Sequence, residues 1–476
     1  MTHVTSSGER RIVLILATIA AFITPFMAAS LNVAIPVIGR EFDLSSVSLG
    51  WIVNAYLLAA AVFLVPFGKI ADFAGRKKIF GWGSMMFGLA SAGVALSGST
   101  VVFLAGRVCQ GVGGAMVMST SMAMLTSVYP PGERGRVLGI NVSFTYLGLS
   151  LGPVLGGAMT QHLGWKSIFA AAAVLEFLVV FLVVLKLKGE EWTGERNAAF
   201  DYPGAIWMGA GLIALMLGFG RIPSADGFLF VIASVVLLLL FFAREKRCAA
   251  PLLDLKFFRG NPVFLYSNLA ALVNYSATTA IGFVLSLYLQ YIRGMTPQTA
   301  GLVLLAQPAM MVLFSPLAGR LSDRIEPRLL ASSGMGILTA GLLVLAGWGA
   351  GAPPVFIVSV LLVLGFGFAL FSSPNTNAVM GAVDKRSYGV ASALLATMRL
   401  TGGMISMGLS TLVFALRIGR VSITPAVHPE FLSAFRITFI LCAGLCLAGL
   451  FASLARGTVH DKAKDASSVD RGNNIR

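Results

Sequence analysis

Charged residues are scarce in this chain of 476 amino acids, of which they make up only 12%. Soluble globular domains carry roughly 25% charged residues. Apolar residues make up 57% of the chain, and its mean hydropathy is +0.85. A soluble fold could not bury so much apolar surface, so the composition excludes a soluble protein and predicts one that crosses a membrane many times.

Histidine and cysteine are also rare, with four residues of each. The histidines lie scattered outside the long apolar runs, at His3, His162, His428 and His460. A membrane-embedded enzyme would need such groups in a cluster, and an ATP-driven pump would need a phosphate-binding Gly-x-x-x-x-Gly-Lys-Ser/Thr loop, which is absent. Cys442 and Cys446 have no His or carboxylate near enough to complete a metal site. We therefore expect neither an enzyme nor a bound metal or cofactor.

Long apolar runs are the main feature of the chain. Each has about 18 or more residues and can cross a bilayer core of about 30 Å. In order, the runs predict an all-α polytopic membrane protein with fourteen transmembrane helices. Their approximate bounds are 12–37, 49–68, 79–98, 101–127, 137–161, 167–187, 203–221, 228–243, 262–291, 298–319, 329–349, 354–380, 388–416 and 432–455.

The positive charges follow the spans. Most of the 35 Lys and Arg residues fall in or beside segments that face the cytoplasm if the N-terminus does. This bias is the positive-inside rule, so the net charge of +15 reports topology and requires no nucleic-acid partner. We predict a multi-pass protein of the cell membrane (inner or plasma membrane) with both termini in the cytoplasm.

Two short patterns occur twice, about half the chain apart. The charged turn at 68–78 returns in reduced form at 319–324, and the glycine-rich run at 111–115 returns at 365–369. Spans 1–6 therefore pair with spans 9–14, and two similar halves around a central cavity are how alternating-access carriers are built. The predicted units are a six-helix bundle at 10–190, inserted helices at 200–245, a second six-helix bundle at 260–456 and a disordered cytoplasmic tail at 457–476.

The charged turns suggest a contact between the halves. In the first turn, an acid stands between two glycines and beside a cluster of cations, and an acid able to reach a helix N-terminus makes a salt-sensitive latch. The alternative is a turn that only anchors topology. The predicted latch residues are Gly68, Asp72, Gly75, Arg76, Asp323 and Arg324.

The fifth span has glycines spaced by four, at Gly148, Gly152 and Gly156, which form a smooth stripe for close packing of another backbone. Pro153 removes a backbone donor and can bend the helix, and Gly157 widens the small-residue surface. A bendable, closely packed helix suits a gate between the halves. A static small-residue contact is the alternative.

Charges at membrane depth are costly and usually functional. Of the 20 carboxylates, only Glu176 stands near the middle of an apolar span, which makes it a candidate for reversible protonation. Its alternative role is a permanent partner of an arginine. Arg107 and Arg399 are the cations inside spans, and for Arg399 a structural pair and a cavity role are equally open.

Polar residues in otherwise apolar spans are predicted to face inward, because each costs free energy facing lipid. Hydrogen bonding between helices is the default role for any one of them, and substrate contact is the alternative. The predicted cavity residues are Asn32, Gln110, Asn274, Gln307, Asn375, Asn377 and Arg399.

Taken together, these motifs resemble those of one known family. The charged turn, the run Leu104-x-x-Arg107-x-x-Gln110-Gly111-x-Gly113-x-Ala115 and the helix-5 motif at 148–157 are similar to signatures of the major facilitator superfamily. Segments 201–205 and 251–259 resemble the insertion of its fourteen-helix drug:proton antiporter branch. The resemblance covers about residues 10–455.

The resemblance implies a role in proton handling for Arg107 and control of a leak by the fifth span, which fits exchange. The chain departs from the branch at one point. The branch carries an acid a few positions before Asn-Val-Ala-x-Pro, and here 32–36 keeps that motif but 26–30 has no acid. Our hypothesis is that Glu176 replaces the missing carboxylate.

The sequence therefore predicts a secondary active transporter of the drug-efflux type, a proton-coupled exporter of small hydrophobic or amphipathic compounds that works by alternating access. Expected partners are a small-molecule substrate, protons and the lipid bilayer, with no nucleic acid, and a monomer is expected. The alternatives are an exporter of one specific metabolite or lipid-like compound and a non-transporting membrane receptor on the same scaffold.

Overall fold

A computed structural model describes residues 7–187, 192, 200–248, 251–253, 258, 260–347, 351, 353–384 and 388–457. Within them the structure is α-helical without strands, and we number the long helices α1 to α14. Their bounds are α1 Ser7–Glu41, α2 Ser46–Ala74, α3 Arg76–Ala95, α4 Thr100–Val128, α5 Pro131–His162, α6 Lys166–Lys186, α7 Tyr202–Arg221, α8 Ala225–Glu245, α9 Pro262–Ile292, α10 Pro297–Ser322, α11 Pro327–Gly347, α12 Pro354–Gly381, α13 Tyr388–Arg417 and α14 His428–Ala455.

The predicted all-α polytopic fold is confirmed. Thirteen of the helices in the described part of the chain are long and apolar enough to cross a membrane. Helix α3 is the fourteenth, and its 20 residues would also span, although Arg76, Lys77 and Lys78 in its first turn lower its apolar character. Apart from Gly457, the tail predicted at 457–476 lies outside the described residues.

Side-chain caps set where many of the helices begin. Each capping residue accepts a hydrogen bond from a backbone N–H three residues later, which satisfies one of the free donors of the first turn. These caps are Ser45, Ser99, Asp201, Ser224, Asn261 and Thr296. Helices α7, α9 and α10 also have proline in the first turn, where its missing N–H costs nothing.

Helices α1–α6 and α9–α14 form two six-helix bundles with the same internal pairing. In the first bundle α1 packs on α5, α2 on α4, α3 on α4 and α3 on α6. In the second, α9 packs on α13, α10 on α12, α11 on α12 and α11 on α14. Because each pair has its counterpart eight helices later, the repeat seen in the sequence is a repeat of architecture. We call these bundles the first and second halves.

The inserted helices α7 and α8 form a hairpin outside both halves. Helix α7 packs against α2 of the first half and against α13 of the second, so it covers the line where these two helices meet. Asp201 caps α7 and its carboxylate also accepts from Arg244 Nε at 2.7 Å, which ties the start of α7 to the end of α8. Helix α8 leaves a mostly apolar face exposed, including Phe228, Ile232 and Val236, as suits contact with lipid.

Candidate functional site

The candidate site is the space between the two halves, and its closed end is well defined. We call the end where α1 begins and α14 ends the terminus end, and the opposite end the far end. At the far end, Ser46 N–H donates to Val421 O at 2.9 Å and the Ser46 hydroxyl donates to Gly419 O. Ser422 Oγ donates to Asp43 Oδ1 at 2.8 Å. The loop after α1 and the first residue of α2 are therefore joined to the loop after α13.

A second group of far-end contacts joins α1 to α9. Helix α9 ends in a π-helical turn, Tyr288–Ile292, which has one more residue per hydrogen-bonded turn than an α-helix. Within this turn, Gln290 Nε2 donates to Val33 O at 2.8 Å and Tyr291 Oη donates to Pro36 O at 3.2 Å. Two side chains from the second half thus bond main-chain carbonyls of the first.

The predicted gating helix α5 contacts two different helices. Gly148, Gly152 and Gly156 face α1 of the same half, where a Cβ added at Gly152 would lie 2.6 Å from Ala29 Cβ. Pro153 and Gly157 face α10 of the other half, and a Cβ added at Gly157 would lie 2.6 Å from Pro297 O. The glycines spaced by four therefore pack α5 against α1 within the first half. Pro153 and Gly157, each one position after a glycine of that stripe, contact the second half.

The terminus end has contacts of a different kind. Among the predicted latch residues, Asp72 accepts from Arg76 Nη2 at 2.9 Å, and Arg76 Nη1 donates to Ser127 Oγ at 2.7 Å. These contacts all lie within the first half.

The second-half latch residues occupy the corresponding turn. Asp323 and Arg324 are exposed at the end of α10, where their backbone N–H groups close the helix on Arg320 and Leu321. Gly68 lies in α2, and Gly75 separates α2 from α3 with a φ of 108°, a conformation that favours glycine. The two charged turns therefore keep their own local structure at the terminus end.

Glu176 of α6 is buried inside the first half, where it faces α3. A Cβ at Gly88 would lie 3.3 Å from Glu176 Cβ, and the carboxylate oxygen Oε2 is buried without a hydrogen-bond partner. Neither intramembrane arginine lies within ion-pair distance of it in the described part of the chain. The side chain is thus enclosed at membrane depth with one oxygen available to a proton.

Arg107 of α4 is also buried in the first half, and its donors are used there. Its Nε donates to Ile52 O at 3.1 Å and its Nη1 to Gln110 Oε1 at 2.6 Å, while the guanidinium lies 4.7 Å from the centre of the Tyr56 ring. Gln110 Nε2 continues the chain of hydrogen bonds to Ser91 Oγ at 2.6 Å. Tyr56 interacts electrostatically with both Arg107 and Glu176, so the network extends towards the buried acid.

Arg399 of α13 has a different environment. It is half-buried, its Nη2 donates to Thr376 Oγ1 at 2.7 Å, and its guanidinium lies 5.6 Å from the centre of the Tyr275 ring. Its Nε is buried without a partner. The three residues come from α13, α12 and α9, so they lie at one place within the second half.

The remaining predicted cavity residues divide into two groups. Asn375 and Asn377 form hydrogen bonds within the second half, Asn375 with Ser267 O and Asn377 with Gly319 O and Ser322 Oγ, as Gln110 does within the first. A second group has amides that form no such bond: Asn32 and Gln307 are half-buried, and both side-chain atoms of Asn274 are buried without a partner. A Cβ at Gly282 of α9 would lie 3.1 Å from Asn32 Nδ2, so Asn32 faces the other half.

Sequence reasoning missed Arg456, which it counted with the cytoplasmic cations. The side chain is fully buried at the end of α14, where Nη1 donates to Asn375 Oδ1 at 3.0 Å. Hydropathy gave no signal, because the residue follows the last apolar run. Glu245 was missed in the same way, and its carboxylate accepts from the backbone N–H groups of Leu252 and Leu253.

The family is established by comparison with known sequences. The family model described as the Major Facilitator Superfamily matches residues 17–407 and again 267–474. The chain belongs to the major facilitator superfamily. As a superfamily member it is a multi-pass membrane transporter with a small-molecule substrate, and it is not an enzyme.

Individual relatives in the superfamily agree with this. The chain is 28% identical over 446 residues to the riboflavin transporter RibZ of Clostridioides difficile, covering 93% of this chain and 96% of that one. It is 31% identical over 394 residues to the multidrug resistance protein Stp of Mycobacterium tuberculosis, covering 82% and 73%. Other relatives are named as antibiotic resistance or export proteins or as a drug efflux pump.

The fold of the superfamily is also found among solved structures. A bacterial homologue of the human lysosomal transporter Spinster superposes with a TM-score of 0.70 at 16% identity. The match covers 95% of this chain and 98% of that one.

Proposed function

We propose that this protein exports small hydrophobic or amphipathic compounds in exchange for protons, by alternating access. The observation that carries the proposal is the asymmetry of the contacts between the halves. Their hydrogen bonds at Ser46, Gln290 and Tyr291 join the far end, while Asp72 and Arg76 at the terminus end bond within the first half. Such an arrangement is one of the two end states of a carrier whose halves rock around a central site.

The orientation follows from charge. Lys and Arg residues concentrate at the terminus end, so we place both termini in the cytoplasm of a cell-membrane protein that acts as a monomer. The two moving units are residues 10–190 and 260–456. In this orientation the far-end bonds close the outer side, and the cytoplasmic side is the one from which an exporter takes up its substrate.

The opposite state requires the far-end bonds to break and the terminus end to close. Closure would bring the turn that contains Asp72 and Arg76 towards the turn that contains Asp323 and Arg324. The half-buried charges of the first turn and the exposed charges of the second can then form the latch, and its contribution should fall as salt rises. On the α5–α10 side, Pro153 and Gly157 would separate from Pro297 and Gly301.

Glu176 is the residue to which we assign proton exchange. It is the one carboxylate in the middle of a span, its Oε2 has no partner, and it interacts electrostatically with Tyr56, whose ring lies beside Arg107. A carboxyl group enclosed by apolar helices is neutral, because burial disfavours its charged form. In the opposite end state of the carrier, it can lose its proton only if water or a cation reaches it. Loss of the proton is thereby coupled to rocking of the halves. Moving one proton through 100 mV is worth about 2.3 kcal/mol, a gradient of about fiftyfold for a neutral substrate.

A second candidate function is export or uptake of one specific metabolite. The observation in its favour is the match to the riboflavin transporter, which extends over almost the whole length of both chains. The drug-resistance relative has the higher identity but leaves about a quarter of its own length unmatched. A specific carrier would accept a narrow set of compounds of one shape.

Flux into proteoliposomes tests the proposal, with the pH gradient and the membrane potential imposed separately. We expect flux that responds to each gradient for a neutral substrate, and a panel of unrelated amphipathic compounds should compete. Flux that ignores both gradients would contradict coupling. Binding without any flux would contradict transport altogether, and competition by a single compound class would favour the specific carrier.

A further inference from the structure

The guanidinium of Arg399 has donor capacity that the protein does not use. Its single described hydrogen bond goes to Thr376 Oγ1, and its Nε is buried without a partner. No carboxylate lies within ion-pair distance of it in the described part of the chain. A cation near the middle of a spanning helix, with no anion beside it, is costly unless something else neutralises it.

Arg107 shows how the same chain satisfies a buried arginine when its role is internal. There the guanidinium bonds Ile52 O and Gln110 Oε1 and lies over the ring of Tyr56, and the side chain is almost fully buried. Arg399 is more exposed and has fewer partners. The difference suggests that the missing partner of Arg399 arrives from outside the protein.

An aromatic cluster begins at this cation. Tyr275 of α9 lies beneath the Arg399 guanidinium and meets Phe368 of α12 edge-on, at 5.5 Å between ring centres. Tyr146 of α5, in the first half, interacts electrostatically with Tyr275. Both tyrosines are only partly buried, and they pack on the same apolar cluster between the halves. A ligand bound at Arg399 would therefore contact the flat apolar faces of these rings, in the space between the two halves.

The acids of the chain lie elsewhere. Glu176, the one carboxylate in the middle of a span, is enclosed between α6 and α3 of the first half, and residues 26–30 of α1 include no acid. Among the described residues, Arg399 therefore has no carboxylate to balance its charge. This charge pattern repels cationic compounds and attracts anionic ones.

We infer that Arg399, Thr376 and Tyr275 form a subsite for the anionic group of an aromatic substrate, a carboxylate, sulfonate or phosphate. The planar guanidinium can donate two parallel hydrogen bonds to such a group, while Thr376 orients it and the tyrosine rings contact the apolar body. This inference rests on the proposed function, since it names the substrate class of that central site.

Binding of matched probes tests the subsite without requiring transport. The probes share one ring system: 2-naphthoate, 2-naphthalenesulfonate and 2-naphthyl phosphate as anions, 2-naphthamide as the neutral analogue and 2-naphthylmethylammonium as the cation. Their dissociation constants are measured on the full chain in phosphatidylcholine nanodiscs. We expect the anions to bind tightest and the cation weakest. An equal affinity for all probes, a preference for the cation, or no binding of any anion would overturn the inference.

Variants then assign the preference to the residue. Arg399→Gln should weaken the anions by about ten- to a hundredfold, the size of a charge-assisted hydrogen bond, and leave 2-naphthamide within about threefold. Arg436→Gln is the matched control, because it removes another second-half arginine, which donates to Ala346 O near the far end. Equal losses in the two variants would refute a specific role for Arg399. If Arg399→Gln does not fold, the ranking of probes on the unmodified chain still decides the question.

The two proposals fail in different ways. If the subsite is wrong, the probe ranking disappears but gradient-driven flux of other compounds persists. If transport is wrong, no compound moves under either gradient, whatever the nanodisc measurements show.

Discussion

Gly157 offers the sharpest test of rocking between the halves. A Cβ added there would lie 2.6 Å from Pro297 O and 3.1 Å from Gln298 Cα, both backbone atoms of α10. Real Cβ atoms essentially never come as close as 2.6 Å to another heavy atom, and a backbone cannot rotate away as a side chain can. Gly157→Ala should therefore force α5 and α10 apart at the far end.

The size of the effect can be estimated from the cost of overpacking. Inserting a methyl group into a tight contact costs about 1–3 kcal/mol. This penalty applies only while the far end is closed, so the ratio of far-end-open to far-end-closed molecules should rise by about 5- to 150-fold. A state that is a minor population in the unmodified protein would become readily detectable.

Distances between spin labels would measure this shift. Leu96 and Val355 lie at the far end of different halves and are 85% and 76% exposed, so cysteines there can carry labels without disturbing packing. The four native cysteines are all free and are replaced by serine first. Gly157→Ala should add a population with a longer distance between the labels. Gly139→Ala is the control, because its added Cβ meets nothing within 4 Å.

Two results would refute the reasoning. If Gly157→Ala leaves the distance distribution unchanged, the α5–α10 contact does not hold the far end closed. If Gly139→Ala produces the same change, the effect comes from helix propensity and not from the contact, since alanine favours a helix over glycine by about 1 kcal/mol.

Three further predictions concern charged groups. Glu176→Gln should abolish flux driven by a pH gradient but preserve exchange of substrate for substrate, both measured in proteoliposomes. Glu133→Gln is the control, and flux that still responds to the pH gradient in Glu176→Gln would remove Glu176 from the mechanism. Asp72→Asn should slow net export several-fold at low salt, and the difference from the unmodified protein should disappear at about 1 M salt, where screening is nearly complete. Equal slowing at both salt concentrations would argue against a latch. Asp201→Ala removes the α7 cap and the partner of Arg244, so it should lower stability by about 1–3 kcal/mol, seen as a lower unfolding temperature; exposed Asp226→Ala is the control.

The sequence predicted the fold because the bilayer leaves few solutions. Backbone groups in lipid must bond within their own segment, so each long apolar run had to be a helix. The structure extends several helices beyond the apolar runs, as in α1 and α5, since polar residues are tolerated once a helix leaves the hydrocarbon core. The repeat of charged turns predicted two halves, and helices α1–α6 pair with one another in the same way as helices α9–α14.

The site was harder to predict because a polar residue in a span has two ways to avoid lipid. Gln110 and Asn375 bond other side chains within one half, while Asn32 faces the other half across the path. Hydropathy assigns all three the same cost, so only the rotation of each helix separates these roles. The glycines of α5 show the same limit: spacing predicted the stripe, but not that Gly157, one residue beyond Gly156, would face a different helix.

The inserted hairpin constrains how the halves can move. Helix α7 touches the first half where a Cβ at Gly209 would lie 3.0 Å from Val62 Cγ1, and the second half where a Cβ at Gly408 would lie 3.0 Å from Met216 Sδ. Rocking displaces α2 relative to α13, so α7 must slide over at least one of them. Glycine leaves a smooth surface, and methionine adapts its shape at little cost, which suits a sliding contact. In the proposed transport cycle, the hairpin therefore covers the α2–α13 side throughout. The α5–α10 side has no such cover among the described residues, so the far end can open most freely there.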